Sequence, residues 1–419
     1  MFNRRCFAGR LAARLSFIRP RRGWGALEEG RYRHYFFGQA LSICGSWIQQ
    51  VALGWLTYSL SGSASLLGAT SFLTQIFPLF LAPLAGGLID RYGVRPMMIQ
   101  VQLLLILQAC VLGGLAASGH LGIWHLLVAA CASGVLNSFE VPLRHALTPR
   151  LIADSAHLPS AIALNSLFFN VARFIAPPLA GWLLGWQEAW VCFFLNALSF
   201  LPTLVVLWRL PDGVVGGTRS SVLVLLREGI GYLQNQCDAR RILLKVVLVN
   251  GLATAYLPLM PAIVRDVFGA GPETVGMLLG CVGAGALLAS IRLAMVGGGP
   301  SELARSLHRG NLVAALSLIG VALCTEIWLA PLLLFLLGFG VINCNVSSNT
   351  LLQMQVPQPV RGRVLALYVS ANLGSAALGG LLSGGLAEYL GTGPVLLGMG
   401  LLLLVALFRS AGEGPGDAS

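Results

Sequence analysis

Long runs of apolar residues, separated by short polar connections, follow one another along the chain. A helix of about 20 residues crosses the hydrocarbon core of a bilayer, which is about 30 Å thick. The pattern predicts an all-α polytopic membrane protein with twelve transmembrane helices. The predicted spans are 35–59, 66–89, 97–118, 121–142, 160–184, 187–208, 243–264, 274–296, 310–327, 329–352, 364–387 and 391–408.

One connection is much longer than the others and divides the spans into two sets of six. Two six-helix bundles related by an axis along the membrane normal are therefore expected, as in transporters with parallel repeats. The Arg-rich N-terminal tail is interpreted as a cytoplasmic segment near anionic lipid, with an organellar transit peptide as the alternative. The predicted divisions are a basic tail at 1–34, bundles at 35–209 and 243–409, a central cytoplasmic loop at 210–242 and a tail at 410–419.

Charged residues are scarce and unevenly placed. They make up 10% of 419 residues, against about a quarter in soluble domains, and the mean hydropathy is +0.78. This composition excludes an ordinary water-soluble protein. All but two of the 27 Lys and Arg residues fall on one side of the predicted membrane; the exceptions are Arg265 on the other side and Arg173 within the fifth span. By the positive-inside rule both termini are expected in the cytoplasm, so the net charge of +11 needs no nucleic-acid partner.

The connection after the second span reads GGLIDRYGVRP at 86–96. It resembles the signature of the major facilitator superfamily, although Val94 stands where a second basic residue is usual. An aspartate at this helix end can accept charge-assisted hydrogen bonds and close the cytoplasmic side as a gate. The alternative is a solvated turn with a surface ion pair worth less than about 1 kcal/mol. The matching residues are Gly86, Leu88, Asp90, Arg91, Gly93 and Arg95, of which Asp90 is also a candidate for proton coupling.

Further motifs occur in the first, second and fifth spans, just after the fourth span and at the entry to the eleventh. They comprise 35–39, 46–50 and 55–58, Gln75 with Pro78 and Pro83, 142–147, 165–177 and 356–368. As an ordered set, they are similar to the enterobactin-exporter-like branch of the superfamily over nearly all of 31–408. The resemblance implies a secondary exporter in a bacterial inner membrane, which works by alternating access and proton antiport on a siderophore or drug-like amphiphile. The fifth span keeps only Pro177 and Gly181 of the glycine-rich antiporter motif.

Polar residues inside the spans are the candidates for a substrate site. Arg173 lies deep in the fifth span, where an ionisable group is a functional candidate by default. It can bind an anionic substrate such as a catecholate or carboxylate, or it can stabilise helix packing, and both interpretations remain open. The residues predicted to complete the site are Gln39, Ser46, Gln50, Asn250 and Asn343, although some of them are expected to link helices instead.

Glu140, near the cytoplasmic end of the fourth span, is the predicted proton carrier. The alternative is a helix-end acid paired with Arg144 one turn further on. Asp266 and Glu326 fall near outer helix ends and are interpreted as surface groups.

Proton-coupled export is the leading functional hypothesis. Import of an anionic nutrient, with Arg173 as the binding cation, is the alternative, because one fold supports both directions. An intramembrane lipid-modifying enzyme is disfavoured because the sequence has no H-E-x-x-H motif, paired carboxylates or suitable G-x-S-x-G turn. A primary pump is disfavoured because the sequence has no phosphate-binding ATP motif. The nine cysteines occur singly and predict neither a disulfide framework nor a metal site. The expected partners of this monomer are a small-molecule substrate, protons and membrane lipids, without cofactor, metal or nucleic acid.

Overall fold

The computed structural model describes residues 25–210, 231–234, 236–296 and 299–412. Most of the predicted basic tail, central loop and C-terminal tail lies outside these residues. The described helices are α1 Gly30–Ser61, α2 Ala64–Tyr92, α3 Val94–Ala117, α4 Ile123–Leu147, α5 Leu158–Trp186, α6 Trp190–Arg209, α7 Cys237–Leu248, α8 Tyr256–Ala262, α9 Pro272–Val296, α10 Pro300–Leu323, α11 Ala330–Gln355, α12 Gln358–Leu390 and α13 Thr392–Gly412.

The predicted all-α membrane architecture is confirmed at this level. Within the described residues, eleven helical segments are long and apolar enough to cross a membrane, and α7 and α8 belong to one of them. The first helix, α1, has 32 residues but is more polar than these segments, because it carries several Gln and Ser residues. We call the end at which α1 begins and α13 ends the proximal end, and the opposite end the distal end.

The seventh predicted span is irregular. Two π-helical turns, Val249–Ala253 and Ile263–Val267, flank α8. Proline has no backbone N–H, so Pro258 and Pro261 each remove one hydrogen bond to the preceding turn. Local π-helical turns are a common way for a helix to adjust around such interruptions. The longest departure from the predicted boundaries is at α10, which starts at Pro300 instead of 310 because its first turns are helical but charged.

The two halves of the chain, α1–α6 and α7–α13, repeat the same packing. In the first half α2 packs on α4 and α3 on α6, and in the second half α9 packs on α11 and α10 on α13. Between the halves, α5 packs along α9 and α2 along α12. Glycines allow the close approach: a Cβ atom added at Gly68 would lie 2.7 Å from the Gly380 carbonyl oxygen, and one added at Gly181 would lie 2.9 Å from Gly276 Cα.

Candidate functional site

A cavity of about 220 Å³ lies within the first half, mainly between α1 and α4. Positions 39, 42, 46 and 50 of α1 follow at intervals of three or four residues, so their side chains share one helix face. The structure therefore brings three predicted substrate-binding residues together with the predicted proton carrier. The polar residues of the lining are Gln39, Ser42, Ser46, Gln50, Asn137, Glu140 and Arg144.

Glu140 is only 7% exposed and has two polar partners. Gln39 Nε2 donates a hydrogen bond of 3.0 Å to Glu140 Oε1, and Arg144 Nη2 lies 3.6 Å from Glu140 Oε2. Glu140 therefore makes the predicted pair with Arg144, one helical turn further on, and both side chains line the cavity. A buried carboxylate needs such partners, because removing its charge from water is costly.

Tyr35 is a neighbour of this group that sequence reasoning missed. Its side chain is fully buried and lies within electrostatic range of Glu140 and Arg144. The Tyr35 hydroxyl and Gln39 Oε1 have no hydrogen-bond partner among the described residues. The spacing of Tyr35 and Gln39, one helical turn apart, was the available signal for their proximity.

Arg173 borders the cavity but is not part of its lining. Its guanidinium carbon lies 5.9 Å from the centroid of the Trp47 ring. Trp47 lines the cavity and makes an edge-to-face contact with Phe169, another lining residue, at a centroid distance of 6.3 Å. Arg173 is also within electrostatic range of Tyr256 on α8. The cation therefore stands behind an aromatic wall of the cavity.

Asn250 and Asn343 lie in the second half, away from this cavity. Asn250 and Asn345 exchange two side-chain hydrogen bonds, of 2.8 and 3.1 Å. Asn343 Nδ2 donates to the Ser306 carbonyl oxygen at 2.9 Å, and Ser306 Oγ donates to Asn343 Oδ1 at 3.0 Å. Both asparagines are buried and link neighbouring helices, so their substrate-binding role stays a prediction.

The predicted gate lies at the proximal junction of α2 and α3. The surroundings of Gly86 and the side chain of Asp90 lie outside the described part of the structure. Gly93 joins the helices with φ +85°, a conformation that favours glycine. Arg95 donates from Nε to the Leu207 carbonyl oxygen at 2.9 Å and from Nη2 to that of Trp208 at 3.1 Å, which satisfies the C-terminal end of α6. Arg91 lies over the ring of Tyr92, at 5.2 Å from the centroid.

The distal end holds polar contacts between the halves that the sequence did not predict. The Tyr58 hydroxyl of α1 donates to the carboxylate of Asp266, and the guanidinium of Arg265 lies over the Tyr58 ring. Asp266 is exposed, as expected of a surface group, but this contact ties it to the other half.

A second distal contact joins α12 to the start of α2. Glu388 Oε2 accepts from Ser63 Oγ at 2.9 Å and from the Ser65 backbone N–H at 3.0 Å. A carboxylate at a helix N-terminus is favoured by unpaired N–H groups and the helix dipole. The only sequence signal for either contact is an acidic residue near a distal helix end.

A metal-binding arrangement of three or more His, Cys, Asp or Glu side chains does not occur among the residues that the structure describes. The lining residues of the cavity offer substrates a carboxylate, a guanidinium, amides, hydroxyls and aromatic faces. This set suits hydrogen-bonding and amphiphilic ligands.

Comparisons with known proteins agree with this architecture. The profile of a family described as transmembrane secretion effector matches residues 22–411. The staphyloferrin A transporter of Staphylococcus aureus is 24% identical over 374 residues, which cover 86% of this chain and 90% of that protein. The enterobactin exporter EntS of Salmonella typhi is 26% identical over 417 residues, covering 92% and 94%.

A solved structure has the same fold. It is a bacterial homologue of the human lysosomal transporter Spinster, in an inward-facing and unoccupied conformation, with a TM-score of 0.70 and 14% identity over 94% of this chain and 97% of that one. The family and these relatives are transporters and not enzymes. The chain belongs to the transmembrane secretion effector family of the major facilitator superfamily.

Proposed function

We propose that the protein is a proton-coupled secondary exporter of a siderophore or drug-like amphiphile. It crosses a bacterial inner membrane twelve times, as two six-helix bundles with both termini in the cytoplasm, and works as a monomer. The observation that carries the proposal is the buried Glu140, held by Gln39 and Arg144 inside a polar cavity. The relatives named as a siderophore transporter and a siderophore exporter support the substrate class.

The positions of the contacts support alternating access. The polar contacts of Tyr58 with Asp266 and of Glu388 with Ser63 join the halves at the distal end. Glu140 lies in the last two turns of α4, toward the proximal end. With cytoplasmic termini, these contacts would hold the outer side closed, which is the state in which an exporter loads substrate from the cytoplasm. Gly86, Asp90, Arg91, Gly93 and Arg95 would form the gate on the proximal side in the opposite state.

The cavity also suggests how a proton drives export. Ionised Glu140 accepts hydrogen bonds, so hydroxyl or amide donors of a substrate compete with Gln39 for it. A proton arriving from outside converts the carboxylate into a neutral acid and weakens those bonds. Substrate release and proton entry would therefore be coupled at one side chain. In this scheme Gln39, Ser46 and Gln50 contact the substrate, and Arg173 acts through Trp47.

The test is transport in proteoliposomes with an imposed pH gradient. A panel of siderophores and amphiphilic drugs is offered to wild type, Asp90→Asn, Glu140→Gln and Arg173→Gln. We expect gradient-driven export by wild type and a loss of gradient dependence in Glu140→Gln, because glutamine keeps the shape but does not titrate. If substrate flux through the wild-type protein did not depend on the pH gradient, proton coupling would be overturned. Gradient-driven accumulation in the opposite direction would favour the nutrient importer.

A further inference from the structure

A second cavity lies in the other half of the molecule, at the proximal ends of α9 and α10. Its volume is about 70 Å³, and three arginines dominate its lining. Arg292 comes from the last two turns of α9, whereas Arg305 and Arg309 lie one turn apart on α10. Glu302 and the buried Ser306 complete the polar lining. The cavity therefore gathers three guanidinium groups from two helices around one small space.

The positive charge of this space is only partly neutralised within the described part of the chain. No carboxylate there pairs with any of the three guanidinium groups. Arg292 lies 5.9 Å from the centroid of the Phe339 ring, and Arg305 Nε donates to the Ser301 carbonyl oxygen at 3.4 Å. Neither contact removes charge. Glu302 offsets one of three positive charges, so a bound anion would relieve the remaining repulsion.

Hydrogen bonds to the neighbouring helix hold the lining residue Ser306 in place. Ser306 is buried, and its Oγ donates to Asn343 Oδ1 at 3.0 Å, while its carbonyl oxygen accepts from Asn343 Nδ2 at 2.9 Å. α10 is thereby fixed against α11 just where the arginines project. A site whose supporting residues are fixed in advance loses less entropy when a ligand binds.

The outer surface of α9 locates this cavity relative to lipid. Met277, Leu288 and Met295 are 46%, 47% and 67% exposed, and a rotation of 100° per residue places them within about 20° of one another. This stripe runs from the distal to the proximal end, while another face of α9 packs on α5 through Gly276. The stripe therefore faces outward, toward acyl chains. Arg292 lies within about 60° of it, at the level of headgroups.

We propose that this cavity binds the phosphate group of an anionic phospholipid, whose acyl chains lie along the stripe of Met277, Leu288 and Met295. Guanidinium groups bind phosphate oxygens in a bidentate manner, and basic pockets at the cytoplasmic ends of transmembrane helices suit such headgroups. A soluble phosphate ester shares the phosphate chemistry but has no chains to place on the stripe. The site is independent of the transported substrate.

The test measures lipid retained by the full chain. Protein is reconstituted in nanodiscs of phosphatidylcholine with a minor share of phosphatidylglycerol, and lipids that remain bound are counted by native mass spectrometry. With about 1 kcal/mol for each of the two positive charges that Glu302 does not offset, wild type should hold phosphatidylglycerol about thirtyfold above its bulk ratio. The variant Arg292→Gln/Arg305→Gln/Arg309→Gln should fall to within about threefold of the bulk ratio.

The matched control is the variant Arg150→Gln/Arg361→Gln/Arg409→Gln, which removes three positive charges at the same end of the molecule. This variant should retain the lipid. Equal retention by both triple variants would overturn the site. Glycerol phosphate is added as a competitor to separate the two sources of phosphate. If glycerol phosphate does not displace phosphatidylglycerol, the proposal is supported. If glycerol phosphate binds as tightly as the lipid and displaces it, the lipid assignment is overturned in favour of a soluble phosphate ester. The single variant Arg309→Gln, at an exposed position, repeats the measurement with the smallest change to the fold.

Discussion

The side-chain amide of Gln39 on α1 donates a hydrogen bond of 3.0 Å to the carboxylate of Glu140 on α4. This contact joins two of the helices that form the polar cavity and connects a predicted substrate contact to the predicted proton carrier. We therefore expect substitutions of Gln39 to affect coupling.

Replacing Gln39→Leu should impair proton-driven transport more than it impairs folding. Glu140 would lose a buried hydrogen-bond donor, at a cost of about 1–3 kcal/mol, which would correspond to a fall in coupled transport of at least about fivefold. Transport in proteoliposomes measures the effect. Gln75→Leu is the matched control, because among the described residues the Gln75 side chain hydrogen-bonds only to Ser71 on its own helix. Equal losses in the two variants would contradict the link between Gln39 and coupling.

Arg173 should affect substrate binding through Trp47. Because Arg173 lies behind the ring, outside the cavity lining and, at 5.9 Å, near the distance limit of a cation–π contact, we expect Arg173→Gln to weaken binding by only about threefold. Trp47→Leu, which removes the wall itself, should weaken binding by about tenfold or more. Isothermal titration with the transported substrate compares them. A larger loss in Arg173→Gln, confined to anionic substrates, would instead show direct binding of the anion by Arg173.

Asn343 should act on stability. Asn343→Ala leaves the hydroxyl and carbonyl of buried Ser306 without their partner, which should cost about 2–3 kcal/mol and lower the thermal midpoint by several degrees. Asn349→Ala on the same helix is the control, because Asn349 bonds to exposed Gln353. Loss of substrate binding with an unchanged thermal midpoint would restore Asn343 to the substrate site.

Removing the Tyr58 hydroxyl should loosen the distal end. Tyr58→Phe keeps the ring but loses the hydrogen bond to Asp266, worth about 1 kcal/mol, so the distally open population should rise about fivefold. Distances between spin labels at Leu60 and Leu390 report the population. Tyr389→Phe is the control, because Tyr389 is 88% exposed at the same end. An unchanged distance distribution in Tyr58→Phe would exclude a role for the contact in closure.

Close approach of α2 and α12 should depend on Gly68. A Cβ atom there would lie 2.7 Å from the Gly380 carbonyl oxygen, so Gly68→Ala should lower thermal stability and slow transport. Gly385→Ala meets no atom within 4 Å and should be neutral or slightly stabilising, because alanine favours helix by about 1 kcal/mol over glycine. Similar behaviour of the two variants would contradict the steric explanation.

The local patterns anticipated part of the candidate site. The spacing of Gln39, Ser46 and Gln50 is enough to place them on one helix face, and that of Glu140 and Arg144 is enough to pair them. The separation of Asn343 from the cavity could not be predicted, because its partner Ser306 lies on another helix. The contacts of Tyr58 with Asp266 and of Glu388 with Ser63 could not be predicted from the sequence either, because each joins residues more than 200 positions apart.

By itself, the sequence determined that this is a helical membrane protein, because apolar length and the scarcity of charge are properties of each segment alone. It also determined where the cations lie along the chain and, through its motifs, the superfamily. Only the tertiary structure decided which polar groups meet. It placed Arg173 behind Trp47 and gathered Arg292, Arg305 and Arg309 around one space, because helix packing sets the distance and direction between side chains that the linear order leaves free.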